Sequence, residues 1–372
     1  MDWTLLLEWL IKSVIVVLML LVGFAYLTLF ERRVLAFMQV RIGPNRAGWQ
    51  GLLQPVADAI KLIFKEELTP GQVFQPLFTL APIITVVPAV VVAAVIPWGP
   101  QVELFGRKIT LAVADINLGT LYVAAVASIA VYGIVLAGWS SNNKYAMLGG
   151  LRSSAQVISY ELSLALCFVL VTLMAGTMHA GEIVEAQRGL WFIVLQPVGG
   201  IVFLIATLAE VNRAPFDMPE AEQELTAGYH SEYSGMKFAL FFMAEYIKMI
   251  AISAIAATFY FGGYREPWFL AGTWLSVDVN WWLGPLYMLL KVTALLFFMV
   301  WIRATLPRMR YDRLMAFGWK VLLPLMLVLV FVTAVGILAE ALWLIPVLSL
   351  VVGSLFVYLV NRSLMMKWYR RF

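Results

Sequence analysis

The stretch EVNRAPFDMPEAEQELTAGYHSEY, residues 210–233, carries six of the chain's 22 carboxylates: Glu210, Asp217, Glu220, Glu222, Glu224 and Glu232. Its one cation is Arg213. On either side the sequence is almost purely apolar for about twenty residues, the length that crosses a bilayer. Isolated carboxylates beside hydrocarbon are costly, so packing alone does not account for this acidic wedge. One reading is a solvated loop whose acids keep it in water. Pro215, Phe216, Met218 and Pro219 are poor company for that role. They favour a loop tucked against the membrane surface that handles protons or a ligand.

Working outward, the 372 residues are 62% hydrophobic with a mean hydropathy of +0.88, far above soluble composition. Nine apolar segments can be marked, roughly 10–30, 74–97, 116–138, 154–176, 191–210, 238–261, 285–302, 321–338 and 343–360. The last two come from one run of 40 residues, about twice a bilayer core in length, split here as a hairpin near Glu340. The predicted fold is an all-α polytopic membrane protein with about nine transmembrane helices. It forms a single transmembrane domain over 1–372, and the N-terminal apolar run is a retained span. The segments 31–75, 139–152, 212–237, 303–320 and 362–372 hold 19 Lys and Arg, against four in the alternating segments. That bias places the first set in the cytoplasm, with the N-terminus outside and the C-terminus inside.

Between the first two spans, LLQPVADAIKLIFKE spaces Leu53, Val56, Ala57, Ile60 and Phe64 on one helical face and Gln54, Asp58, Lys61 and Lys65 on the other. Such a stripe predicts an amphipathic helix in the membrane interface, or else a surface helix packed on a soluble partner. Within the spans, Glu161, Glu210, Glu245, Lys248 and Lys291 are charges at membrane depth, which usually mark a pathway or a buried pair. Glu245 and Lys248, three apart, can neutralise each other, whereas Glu161 has no partner in its own span. Asp217-Met218-Pro219-Glu220 has the form of a helix start. One cysteine, Cys167, excludes a disulfide and an all-cysteine iron–sulfur site. His179 and His230 fall in different segments and cannot pair on a haem, and no Gly-rich nucleotide fingerprint is present. The charge spread through the loops gives no argument for nucleic acid.

ERRVLAFMQVRIGPNRAG, GWSSNNKYAMLGGLRSSAQVISYE, NRAPFDMPEAEQELTAGYHSEYSGMKF and IRATLPRMRYDRLMAFGWK together resemble the H subunit of bacterial NADH:quinone oxidoreductase, respiratory complex I. The resemblance runs from about residue 20 to 320. It implies a multi-pass subunit of the bacterial inner membrane, at the heel where the membrane arm meets the flavin- and iron–sulfur-bearing peripheral arm. Quinone would be the substrate, with no flavin, haem, cluster or metal on this chain. Other membrane-arm subunits, the quinone-site and iron–sulfur subunits, and lipid would be partners. Matching positions make Glu31, Arg32, Arg41, Asp58 and Lys61 tunnel-associated. They start a proton path at Glu220, Glu222 and Glu224 and continue it through Glu210, Glu161 and Glu245, with Arg213 and Asp217 gating the loop. One departure is that some relatives carry a glutamate just before AVYG in the third span, where this chain reads Ser128-Ile129-Ala130. Membrane-bound hydrogenases have a related subunit and are the alternative class. A stand-alone ion transporter is a third, and it should show an internal repeat, which this sequence lacks.

Overall fold

The computed structural model describes residues 3–104, 107–218, 228–270 and 272–369. The helices are α1 (Trp3–Met38), α2 (Gln54–Ile63), α3 (Gln75–Val91), α4 (Gly119–Ser140), α5 (Lys144–Ala175), α6 (Ala180–Ala186), α7 (Phe192–Leu195), α8 (Pro197–Glu210), α9 (Gly235–Tyr260), α10 (Leu283–Thr305), α11 (Tyr311–Phe317), α12 (Leu323–Leu338) and α13 (Leu344–Tyr369). Between α3 and α4 a short antiparallel ribbon, Val102–Leu104 against Arg107–Ile109, pairs Val102 with Ile109. The apolar and charge patterns predict no strand there.

Among the described residues, eight helices are long and apolar enough to cross a membrane. The protein is therefore an all-α polytopic membrane protein, as its apolar runs predict. The fifth apolar segment is the one that differs. Pro197 lacks an N–H and disfavours helical backbone at the residue before it. Gln196 accordingly sits at φ −131, ψ 65, and the segment splits into α7 and α8. The 14 residues of α8 span roughly 21 Å, short of a bilayer core of about 30 Å. Glu210, at its end, is buried inside the bundle. The 40-residue apolar run breaks as expected, between Leu338 and Leu344, with Glu340 in the left-handed region at φ 55.

The core is organised around α9. Its second half, AISAIAATFY, is buried on every face, and the alanines at 251, 254, 256 and 257 let α1, α3, α8 and α10 approach closely. A helix apolar all round belongs at the centre of a bundle. At its other end α9 meets a smaller aromatic core, where Phe78 of α3 stacks on Tyr233 with ring centroids 4.0 Å apart. Burial pushes the Tyr233 phenol up to about 12, so it stays protonated beside the Ser140 hydroxyl at 3.4 Å. On α5, Asn143 caps the start by accepting from the Tyr145 N–H, and Gly176, at φ 71, closes the end.

Candidate functional site

The chain leaving α8 does not run out to water. Val211, Arg213, Phe216, Asp217 and Met218 are all buried. Asn212 turns the backbone through the left-handed region at φ 56, which asparagine tolerates better than most residues. A buried non-helical segment needs partners for its backbone polar groups. The Gln156 carboxamide of α5 supplies one, donating to the carbonyls of Ala209 (3.0 Å) and Phe216 (2.6 Å). Met309 supplies another by donating its backbone N–H to the Pro215 carbonyl at 3.0 Å. The first part of the acidic stretch is thus an interior element, not a solvated loop. Where the chain is next described, Gly228 lies against Gly149 of α5, so closely that a Cβ on Gly149 would stand 2.5 Å from the Gly228 Cα.

Arg213 is the centre of the site. Its Nη1 lies 3.2 Å from Glu31 of α1 and its Nε lies 2.7 Å from Glu245 of α9. Its guanidinium also covers the Tyr246 ring, 4.4 Å from the centroid. Glu31 is itself shared: the Tyr246 hydroxyl donates to it at 2.7 Å, and Arg303 of α10 pairs with it. Burial alone would lower the pKa of Arg213, but the Glu245 and Glu31 carboxylates outweigh it, and the guanidinium is held above its ordinary value. Arg213 therefore stays charged and joins α1 to α9. Asp217, four residues on, is held by Arg308 at 2.8 Å, beyond the end of α10.

A second pair lies next to the first. Lys248 and Glu210 meet at 2.5 Å. Lys248 is also within electrostatic range of Glu161 on α5, which faces the Ser128 hydroxyl of α4. One cation thus serves two carboxylates. Spacing along the sequence pairs Lys248 with Glu245 on the same helix. The structure instead sends Glu245 to Arg213 and Lys248 to Glu210, because the buried loop and the end of α8 bring better-placed partners. The second carboxylate oxygen of Glu210 is buried without a hydrogen-bond partner among the described residues. Glu210 and Lys248 line two small cavities of about 30 Å³ each. One is largely apolar and walled by α3, α4, α5, α8 and α9. The other is lined by Thr85, Asn212, Asp217 and Glu245 as well, which gives it both the room and the polar partners a water needs.

The predicted tunnel residues divide. Arg32 and Asp58 pair at 2.6 Å and tie α1 to α2, with Gln54 donating to Asp58 at 3.1 Å. Lys61 stands exposed on α2, and Arg41 is exposed and donates to Gln39 at 2.7 Å. Glu31, one position before Arg32, points to a different side of α1, into the Arg213 cluster. The apolar face of α2 is left uncovered by this chain, with Val56, Ile60 and Ile63 all exposed. Glu220, Glu222 and Glu224, with the predicted helix start at 217–220, lie outside the described residues beyond Met218. Sequence reasoning missed Tyr246, Arg303, Arg308 and Gln156. Only Gln156 carries a signal, as a carboxamide inside an apolar run. Arg303 and Arg308 read from the sequence simply as positive charges of a loop.

Comparison with known proteins bears on this arrangement. Residues 11–334 match the family model described as NADH dehydrogenase. An H subunit of the NADH-quinone oxidoreductase of Geobacter metallireducens is 51% identical over 83% of this chain and 90% of its own length. The chain belongs to the family of NADH-quinone oxidoreductase H subunits. Its relatives in that family include the H subunit of Frankia alni, 49% identical over 87% of this chain and 72% of that protein. The H subunit of Streptomyces avermitilis is 46% identical over 86% of this chain and 70% of that protein. The matched region covers every residue of the buried cluster and stops before α13.

Proposed function

We propose that this chain is a membrane-arm subunit of a proton-translocating NADH:quinone oxidoreductase, forming the quinone access tunnel and the first part of a carboxylate path. Partner subunits of the peripheral arm supply the electrons. Family membership supports the coarse assignment. The observation that supports the finer one is Arg213, buried between Glu31 and Glu245 and carried on the loop that leads into Glu220, Glu222 and Glu224. Charge arriving on that loop is felt at once by both acids.

In this reading Glu31 with its arginines, together with the Arg32–Asp58 pair, lines the quinone side, and α2 lies in the membrane interface beside it. Among the described residues, the carboxylates of Glu31, Glu161, Glu210, Glu245 and Asp217 lie with the cations Arg213, Arg303, Lys248 and Arg308. Wherever one of these acids is left uncompensated, a proton on it is favoured, because uncompensated charge is costly there. Reduction of quinone to an anionic form raises proton affinity nearby and draws that proton toward it. Water in the cavity between Glu245 and Glu210 provides a connection. From Glu210 the path continues to Glu161, where Ser128 supplies a hydroxyl but no carboxylate.

Glu161→Gln tests the reading because Glu161 has no close ion pair to break among the described residues. In the assembled complex, quinone-linked proton pumping should fall several-fold, while reduction of a water-soluble acceptor by the peripheral subunits is kept. Pumping at the unmodified rate would remove Glu161 from the path.

A further inference from the structure

The segment between α9 and α10, at the end of the bundle opposite Arg213, is built inside out. Its charged residues by sequence are Arg265, Glu266 and Asp278, and each is turned onto a partner in the protein. Arg265 pairs with Glu185 of α6 and with Asp278, and Asp278 also meets Arg188. Glu266 is buried, accepting from the Ser276 hydroxyl at 2.8 Å and the Val277 N–H at 3.1 Å. Lys291 of α10 donates to the carbonyls of Gly263 and Arg265 at 2.8 and 2.6 Å. Tyr264 is buried, but from Trp268 onward the large aromatics face the other way. Phe269 is 68% exposed and Trp274 76%, with Trp281 and Trp282 also more than half exposed. A loop standing in water does the reverse, burying its aromatics and leaving its charges solvated.

The exposed patch is also continuous with a helix face. Trp282 immediately precedes α10 and already has helical backbone angles. Leu286, Leu289 and Leu290 follow it at the spacing of one helical side, and all three are exposed. A long apolar stripe on a span meets lipid, and tryptophan is the residue that suits the step from hydrocarbon to headgroup, with an apolar ring and one N–H donor.

We propose that residues 267–270 and 272–282 lie in the membrane–water interface of the face opposite Arg213, with Trp274, Trp281 and Trp282 seated among lipid headgroups and the ionic network beneath them fixing the segment in place. The occupant of this surface is bilayer lipid. The seat sets the depth of α9 and α10, the helices that carry Glu245, Lys248 and Arg303.

The test places a spin label at position 274 or 281 in the full-length chain, with Cys167→Ala and W274C or W281C, in phospholipid nanodiscs. Collision with apolar oxygen is compared with collision with a water-soluble nickel chelate. Reference labels sit at Gln101, on the same end of the bundle, and at Leu289, on the α10 stripe. The oxygen-to-nickel ratio at 274 and 281 should lie several-fold above that at 101 and approach that at 289. A ratio equal to that at 101 overturns the proposal. In a second arm, a photo-crosslinking benzoylphenylalanine replaces Trp274 in the assembled complex in native membranes. Absence of a protein adduct agrees with a lipid seat. An adduct with another subunit overturns it in favour of a protein partner.

Discussion

The two ends of the bundle both bury charge, and they do it differently. At one end Arg213, Glu31, Glu245, Tyr246 and Arg303 bind side chain to side chain across α1, α9, α10 and a buried loop. At the other, Lys291 is solvated by backbone carbonyls, Glu266 is fixed by the nearby Ser276 hydroxyl and Val277 N–H, and Arg265 meets the half-exposed carboxylates of Glu185, on α6, and Asp278. A cation held by carbonyls is satisfied whatever the charge of its neighbours. A cation held by two largely buried carboxylates, as Arg213 is, is bound more or less tightly as either gains a proton, whereas solvent screens that change at the half-exposed partners of Arg265. The first arrangement anchors, and the second can respond. Burial of Tyr264, reinforced by the Glu185 carboxylate, raises its phenol. Burial alone would lower Arg265, but the same carboxylate helps hold it above its ordinary value. Both groups at the anchoring end therefore keep their protons through any physiological pH change.

The largest expected effect comes from removing the hub. Arg213→Leu leaves Glu31 and Glu245 with a buried deficit, at a cost of about 3–5 kcal/mol. Assembled complex should be nearly absent from membranes, and wild-type yield would show that Arg213 is not what holds α1 to α9. Next comes the neighbouring pair. Lys248→Met strands the buried Glu210 and should lower the melting temperature of the complex, whereas Lys248→Met with Glu210→Gln should recover most of that loss. Pumping should stay low in both. Recovered stability with recovered pumping would reduce this pair to a packing element.

Asp58→Asn removes a half-exposed ion pair worth under about 1 kcal/mol of stability. It should nonetheless slow quinone reduction several-fold, with reduction of a soluble acceptor intact. Equal loss of both activities in assembled complex would sever α2 from quinone access. The smallest effect is expected at the anchoring end. Arg265→Gln loses contacts to carboxylates that are nearly half exposed, about 1 kcal/mol, and should leave quinone-linked turnover per assembled complex unchanged. A fall in turnover with no change in stability would erase the distinction between the two ends.

The sequence by itself determined the class of fold, the hairpin at Glu340, the amphipathic α2 and the presence of acids at membrane depth. Each is a matter of local hydropathy, period and turn chemistry, which act over a few residues. It also singled out the loop that carries Arg213 and Asp217. Only the tertiary structure decided that the loop is interior, that α8 ends short, and which acid meets which base. Arg213 and Glu31 are 182 positions apart, and Arg303 and Glu31 are 272 apart. No periodicity relates residues at such distances. Their meeting depends on how α9, small enough along one half to be surrounded, gathers the other helices. The same cause moved Lys248 from Glu245 to Glu210. On an isolated helix the nearest opposite charge is three residues away, but in a packed bundle the best-oriented one stands on another helix, and in low dielectric orientation and desolvation decide the pair.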